Sequence, residues 1–362
     1  MQAAAILSRS GLLAAVFCMV LPAAAQDSVR VAPGRACPAC RVTLTPTLVL
    51  GADAGVYGPT VESRVARDSR GRFYVAPTYT PGTIAVFASA GRFQRAFGTE
   101  GGGPEEFRGI QNVVVGPGDT LWVVGGGGRI TVVDPEHRII RSVTADGGAR
   151  GILPRGDGSV IAMSMSGAGG VILDAAGEEV GRLALSDPGQ SAMSGQAAVV
   201  RLGDGRLVAL HGTRYRLDVL DTTGVRQRTV DRSAYWFPAL ESEEEALERV
   251  QTAGTAAMTF DAAAAPGGEV WVLAQRINMT RVQEIFRAVE SGGVTAPVLD
   301  MNELLDPVLE LVDVDAGTVV ATGGSTERLL TGFLDGQHVV GVRELADGTV
   351  ILDLWKLDVR GR

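Results

Sequence analysis

Short apolar runs, each ended by a turn carrying Gly, Asp or Pro, recur from Val65 almost to the C-terminus. The clearest copies are Val113–Val124 (VVVGPGDTLWVV) followed by Arg129–Asp134 (RITVVD), and Val199–Leu210 (VVRLGDGRLVAL) followed by Arg216–Asp221 (RLDVLD). Runs this short, rich in Val, Ile and Leu and bounded by turn residues, predict strands. A fixed phrase of strands and turns repeated along a chain predicts a repeat architecture.

The first unit spans residues 63–98, the second 112–143, the third 151–185 and the fourth 197–230. A fifth opens at Phe260, is interrupted by a Glu-, Met- and Leu-rich segment over 280–307, and resumes at Leu309–Ala321. The last holds His338–Leu345 and Thr349–Asp358 and lacks an outer strand, which the isolated run Thr47–Leu50 is placed to supply. Joining both termini in one sheet removes exposed edges that would otherwise pair between molecules. The expected fold is therefore all-β: a six-bladed β-propeller of four-stranded antiparallel blades over 44–362, its ring closed by N- and C-terminal strands. Five and seven blades stay open, because the fifth unit is blurred. Glu241–Val250 has the composition of a helix, with acidic residues toward its start, inside an insertion near 236–255.

The N-terminus follows a different pattern. Arg9, an apolar run from Leu12 to Leu21 and Ala23-Ala24-Ala25 read as an export signal over 1–25. The apolar run is too short to span a bilayer, which takes about 20 residues. A Pro-, Arg- and Cys-containing lead-in occupies 26–43. The expected location is outside the cytoplasm, periplasmic or extracellular, with no transmembrane segment.

Composition narrows the function classes. Of 362 residues, 48 are Gly, placed mostly in the turns, and the formal charge is −8. That charge argues against nucleic acid, whose phosphates call for clustered basic groups. Lys356 is the sole lysine, so lysine-based covalent chemistry has one candidate, in the final strand run.

The stretch Gly91–Phe107 (GRFQRAFGTEGGGPEEF), continued by Val113–Val124 and Arg129–Asp134, resembles the signature of the NHL-type six-bladed propeller families. The resemblance covers about 63–143 well, extends to 230 and thins afterwards. It implies a six-bladed fold and an interaction role. Some relatives are secreted enzymes, amidating lyases and lactonases, so the fold leaves activity open. Lactonase-type relatives hold a divalent ion in the channel with Glu, Asn and Asp, and Glu62, Asn112 and Asn278 are the nearest counterparts here.

Cys37-Pro-Ala-Cys40 admits a redox pair, half a metal site or a small disulfide. Arg41 stands where haem attachment needs His, and no thioredoxin-like βαβ setting surrounds the pair. In an exported chain a local disulfide leads. The three histidines are His137, in a turn expected to be exposed, His211 and His338. In a four-stranded blade the connections from second to third strand share a face with the links between blades. That rule gathers Tyr79, His211, Arg214, Tyr215, Arg276 and Asn278, with Arg108 and Trp236 from the inter-blade links. Aromatic and arginine side chains of this kind favour binding.

The expected function is an exported propeller that binds a protein, peptide or saccharide through one loop face, as a monomer, with no cofactor. The alternative is a secreted lyase or lactone hydrolase with a divalent metal in the central channel.

Overall fold

Fully apolar four-residue runs such as Phe73–Ala76, Ile84–Phe87 and Leu121–Val124 are buried along their whole length. A strand flanked on both faces by other sheets has no polar side to show, so its pattern is continuous instead of alternating. Outer strands such as Phe93–Phe97 expose part of theirs. The computed structural model describes residues 27–31, 36–60, 62–77, 82–103, 105–146, 148–164, 169–183, 196–212, 215–232, 234, 236–237, 257–277, 305–324 and 329–362. The export signal expected over 1–25, Tyr79, Arg214, Asn278 and the helix expected at 241–250 lie outside the described residues.

The chain begins with β1 (Asp27–Val31) and β2 (Arg41–Leu50), then settles into consecutive antiparallel sheets. The first sheet is β3 (Arg64–Arg67), β4 (Phe73–Ala76), β5 (Ile84–Phe87) and β6 (Phe93–Phe97), in that order. A short parallel pair, β7 (Thr99–Glu100) and β8 (Glu106–Phe107), bridges to the next. Then come β9 (Asn112–Val115), β10 (Leu121–Val124), β11 (Arg129–Val133) and β12 (Ile139–Thr144). The third sheet is β13 (Ala149–Pro154), β14 (Val160–Ser164), β15 (Gly170–Leu173) and β16 (Glu179–Leu183). The fourth is β17 (Gln196–Arg201), β18 (Leu207–His211), β19 (Arg216–Leu220) and β20 (Arg226–Arg232).

The last sheet is eight-stranded and has two halves. One half is β21 (Ala257–Ala264), β22 (Val270–Ile277), β23 (Leu305–Asp313) and β24 (Thr318–Gly324). The other is β25 (Leu329–Asp335), β26 (His338–Glu344), β27 (Val350–Arg360) and β2. A single parallel bridge, Arg41 with Thr322, joins them. The first strands touch in a closed cycle: β3 meets β9, then β13, β17, β21 and β25 follow, and β25 returns to β3. Such a ring, with sheets radiating from an inner wall of first strands, is propeller-like. Among the described residues there is no α-helix, and no helix is long and apolar enough to cross a membrane.

The N-terminal segment is more tightly woven into the ring than its composition suggests. Thr47–Leu50 does join the final sheet, but the pairing begins earlier, from Arg41 opposite Arg360 to Leu50 opposite Leu352. Asp27–Val31 adds a parallel strand outside β20. β1 and β2 thus lie on the outer edges of two different sheets. Cys37 and Cys40 form a disulfide between β1 and β2, and Cys40 is buried with Leu309, Leu311 and Leu357.

Candidate functional site

The loop between the first and second sheets is built around Phe107. Gly98 has φ +84°, and a Cβ on it would sit 2.6 Å from the Phe107 ring. Only glycine tolerates both the left-handed backbone and that approach. Phe97 meets the same ring edge-on at 6.3 Å. The "FG…EEF" phrase of the sequence is therefore a clasp that tucks the link back against the sheet it has just left.

From this clasp the Gly101–Arg108 segment reaches the β10–β11 turn. Gly126 N–H donates to the Arg108 carbonyl at 2.7 Å. Arg129 Nη1 donates to the Gly103 carbonyl at 2.9 Å, and the Glu106 carboxylate accepts the Gly103 N–H at 2.7 Å. Between loop and turn lies a cavity of about 200 Å³, lined by Phe107, Val123, the glycines 125 and 126, Arg108 and Arg129. Glu106 contributes to its wall. Arg108 is exposed and makes no ion pair among the described residues.

Of the gathered residues that the structure describes, Arg108 lines this cavity, and His211, Tyr215, Trp236 and Arg276 are placed elsewhere. His211 is 1% exposed at the end of β18, with Nε2 2.8 Å from Asp218 Oδ2. Asp218 also accepts from Thr229 Oγ1 at 2.8 Å and Arg216 Nε at 3.1 Å. Burial drives the Asp218 carboxyl upward, but the facing His211, Arg216 and Thr229 hold it below its ordinary value. Tyr215 and Trp236 are buried and pack with Phe237 in one cluster. Burial, then the nearby Glu310 carboxylate, raises the Tyr215 phenol well above its usual range. Glu310 itself is clamped by Arg232, through Nε at 3.2 Å and Nη2 at 3.1 Å. Arg276 pairs with Asp306 at 2.7 Å.

Two further groups carry signals that strand counting does not reach. Asp261, on β21, accepts N–H groups from Ala262 at 2.8 Å and from Phe333 on β25 at 2.7 Å. Its enclosure between inner strands lifts its pKa to about 6, against those two hydrogen bonds and the charge of Arg64. His137 is not the exposed turn residue its sequence context suggests. Its ring lies against Phe97. Among the described residues no group of three or more His, Cys, Asp or Glu side chains is placed to hold a metal ion.

No family model matches the chain, and no curated protein matches it. Among solved structures it is similar to the "Putative exported protein" of Bacteroides fragilis NCTC 9343, at TM-score 0.59 and 10% identity, covering 91% of this chain and 99% of that one. It is also similar to a member of the DUF4221 family from Bacteroides vulgatus ATCC 8482, at TM-score 0.56 and 10% identity, covering 88% and 99%. Both likenesses are of fold. The shared architecture spans nearly the whole of each chain.

Proposed function

We propose that the chain is an exported, monomeric six-bladed propeller of the NHL-like kind, which binds a protein or peptide through the face carrying the β7–β8 link and the β10–β11 turn. The observation behind this reading is the Arg108-bearing cavity, built from the link between the first two sheets, the β10–β11 turn and the parts of β10 and β11 next to it. Loops on a rigid ring serve recognition because their side chains vary while the scaffold fixes their positions. The export reading draws on the apolar N-terminal segment and agrees with the name of the B. fragilis neighbour.

Hydrogen exchange tests it. The mature protein is compared alone and with extracellular or periplasmic extract from its source. Slowed exchange over 99–108 and 125–131 supports binding at this face. Slowed exchange confined to the opposite turns, or none at any concentration of extract, overturns it. Metal analysis of the same purified protein decides the enzymatic alternative, for which a stoichiometric divalent ion would be required.

A further inference from the structure

We infer that the cavity between the first and second sheets receives the C-terminal carboxylate of a peptide, with Arg108 as the group that binds it. This rests on the binding reading above and adds the chemistry read by the site.

The charge distribution comes first. Arg108 and Arg129 both line the cavity and Glu106 is the one carboxylate there, so the lining carries more positive than negative charge. Arg129 is committed to the loop, donating to the Gly102 and Gly103 carbonyls at 3.3 and 2.9 Å. Its position is thereby fixed, and it acts as a positioning residue that shapes the rim. Arg108 is exposed, and its Nη2 lies 3.3 Å from where a Cβ on Gly102 would sit. A side chain at that position would crowd the guanidinium. Glycine leaves it open to a ligand.

The preferred partner follows from guanidinium chemistry. Its planar fork matches the two oxygens of a carboxylate, and such charge-assisted pairs are about twice as strong as neutral hydrogen bonds. The chain's charge of −8 provides no long-range pull on an anion. Recognition must therefore come from direct contact in the cavity.

Size and lining then favour a peptide end over a sugar acid. About 200 Å³ is smaller than the roughly 300–1,000 Å³ typical of drug-sized ligand sites. It admits a terminal residue and not a strand. A pyranose ring is usually held against an exposed aromatic face, and the aromatic here, Phe107, is 4% exposed and occupied by its own clasp.

The test titrates isotope-labelled mature protein, at constant ionic strength and to millimolar concentration, with acetyl-trialanine bearing a free C-terminal carboxylate and with its C-terminal amide. The acid is expected to shift the amide signals of Gly102, Gly125, Gly126 and Thr131 in a saturable way, and the amide to leave them unmoved. Arg108→Gln should weaken the acid by about tenfold or more, the effect of losing a charge-assisted pair. Arg108→Lys should restore part of it, as a point charge without the fork. Arg108 is exposed, so these variants keep the fold. Equal responses to acid and amide, no response to either, or unchanged binding by Arg108→Gln overturns the inference. Galacturonate that binds more tightly than the peptide overturns the peptide assignment in favour of a sugar acid. If a partner still protects 99–108 and 125–131 in the exchange experiment, the binding reading survives such a result.

Discussion

The imidazole of His137 lies almost flat on the ring of Phe97, with centroids 4.7 Å apart and planes 13° from parallel. Tyr74 meets the imidazole edge-on at 5.8 Å. His137 occupies a turn position with φ +69°. The matching turns place Gly91, Gly177 and Gly224 there, at +80°, +92° and +93°. In each turn this residue's N–H donates to the carbonyl three positions back. Here an aromatic contact between neighbouring sheets replaces the backbone freedom of glycine.

Left-handed backbone costs a non-glycine residue about 1–2 kcal/mol, and an aromatic pair returns about 0.5–1.5 kcal/mol beyond its burial. His137→Ala retains the strained backbone and loses the stack, whereas His137→Gly loses the stack and relieves the backbone. The alanine variant is therefore expected to be less stable than the glycine variant by about 1 kcal/mol. Urea denaturation measures both, and equal midpoints would discard the backbone explanation.

Two half-buried groups should tilt the pH dependence of stability in opposite directions. Burial, with Arg95 and Arg72 nearby, lowers the His137 pKa. Its contribution is present above the unfolded value of about 6.5 and is lost as pH falls toward the folded value. Asp261 is raised to about 6, so its contribution is full below the unfolded value of about 3.9 and is lost as pH rises through 6. His137→Phe retains a ring against Phe97 and should remove the first slope. Asp261→Asn cannot ionise and should remove the second, at the loss of one of the two N–H groups the carboxyl accepts. Denaturation midpoints taken from pH 4 to pH 7 distinguish the two, and an unaltered profile in either variant refutes its assignment.

Much of this fold can be read in the chain because its buried strands are continuous apolar runs between turn residues. Val113–Val124 announces β9, its turn and β10 almost to the residue. Thr47–Leu50 is recognisable as the missing outer strand because it stands alone. Its extension back to Arg41 is hidden, since Arg41, Thr43, Thr45 and Pro46 carry no apolar pattern; β27 supplies the pairing. The candidate site is harder. Placing turns on one face identifies which connections gather, and Arg108 is found that way. It cannot say which side chains fold inward, and His211, Tyr215 and Trp236 do so because strand pairing and the turn after β20 bring Asp218 and Phe237 against them. Arg129 escapes notice because it reads as the first residue of a strand. Its role depends on carbonyls 26 and 27 residues earlier.

Asp218 is the anchor of the buried cluster beneath the His211 turn. Its carboxylate faces His211 Nε2, Thr229 Oγ1 and Arg216 Nε, with Arg226 Nη1 at 3.6 Å. Replacing one member of a buried ion pair leaves the other charge uncompensated, at about 3–5 kcal/mol. Asp218→Asn keeps the volume and removes the charge, so it should cost about that much at neutral pH. Burial opposes ionisation, yet the folded pKa is depressed by the facing donors. The stabilisation is therefore complete above about 3.9, the unfolded value, and disappears as pH falls through the folded value. The parent should lose stability in this acid range and the Asn variant should lose less, so their denaturation midpoints converge toward low pH. A loss at neutral pH of about 1 kcal/mol or less, the worth of an exposed pair, would mean that the cluster does not hold His211 in place. His211 would then return as a candidate for the ligand-binding face.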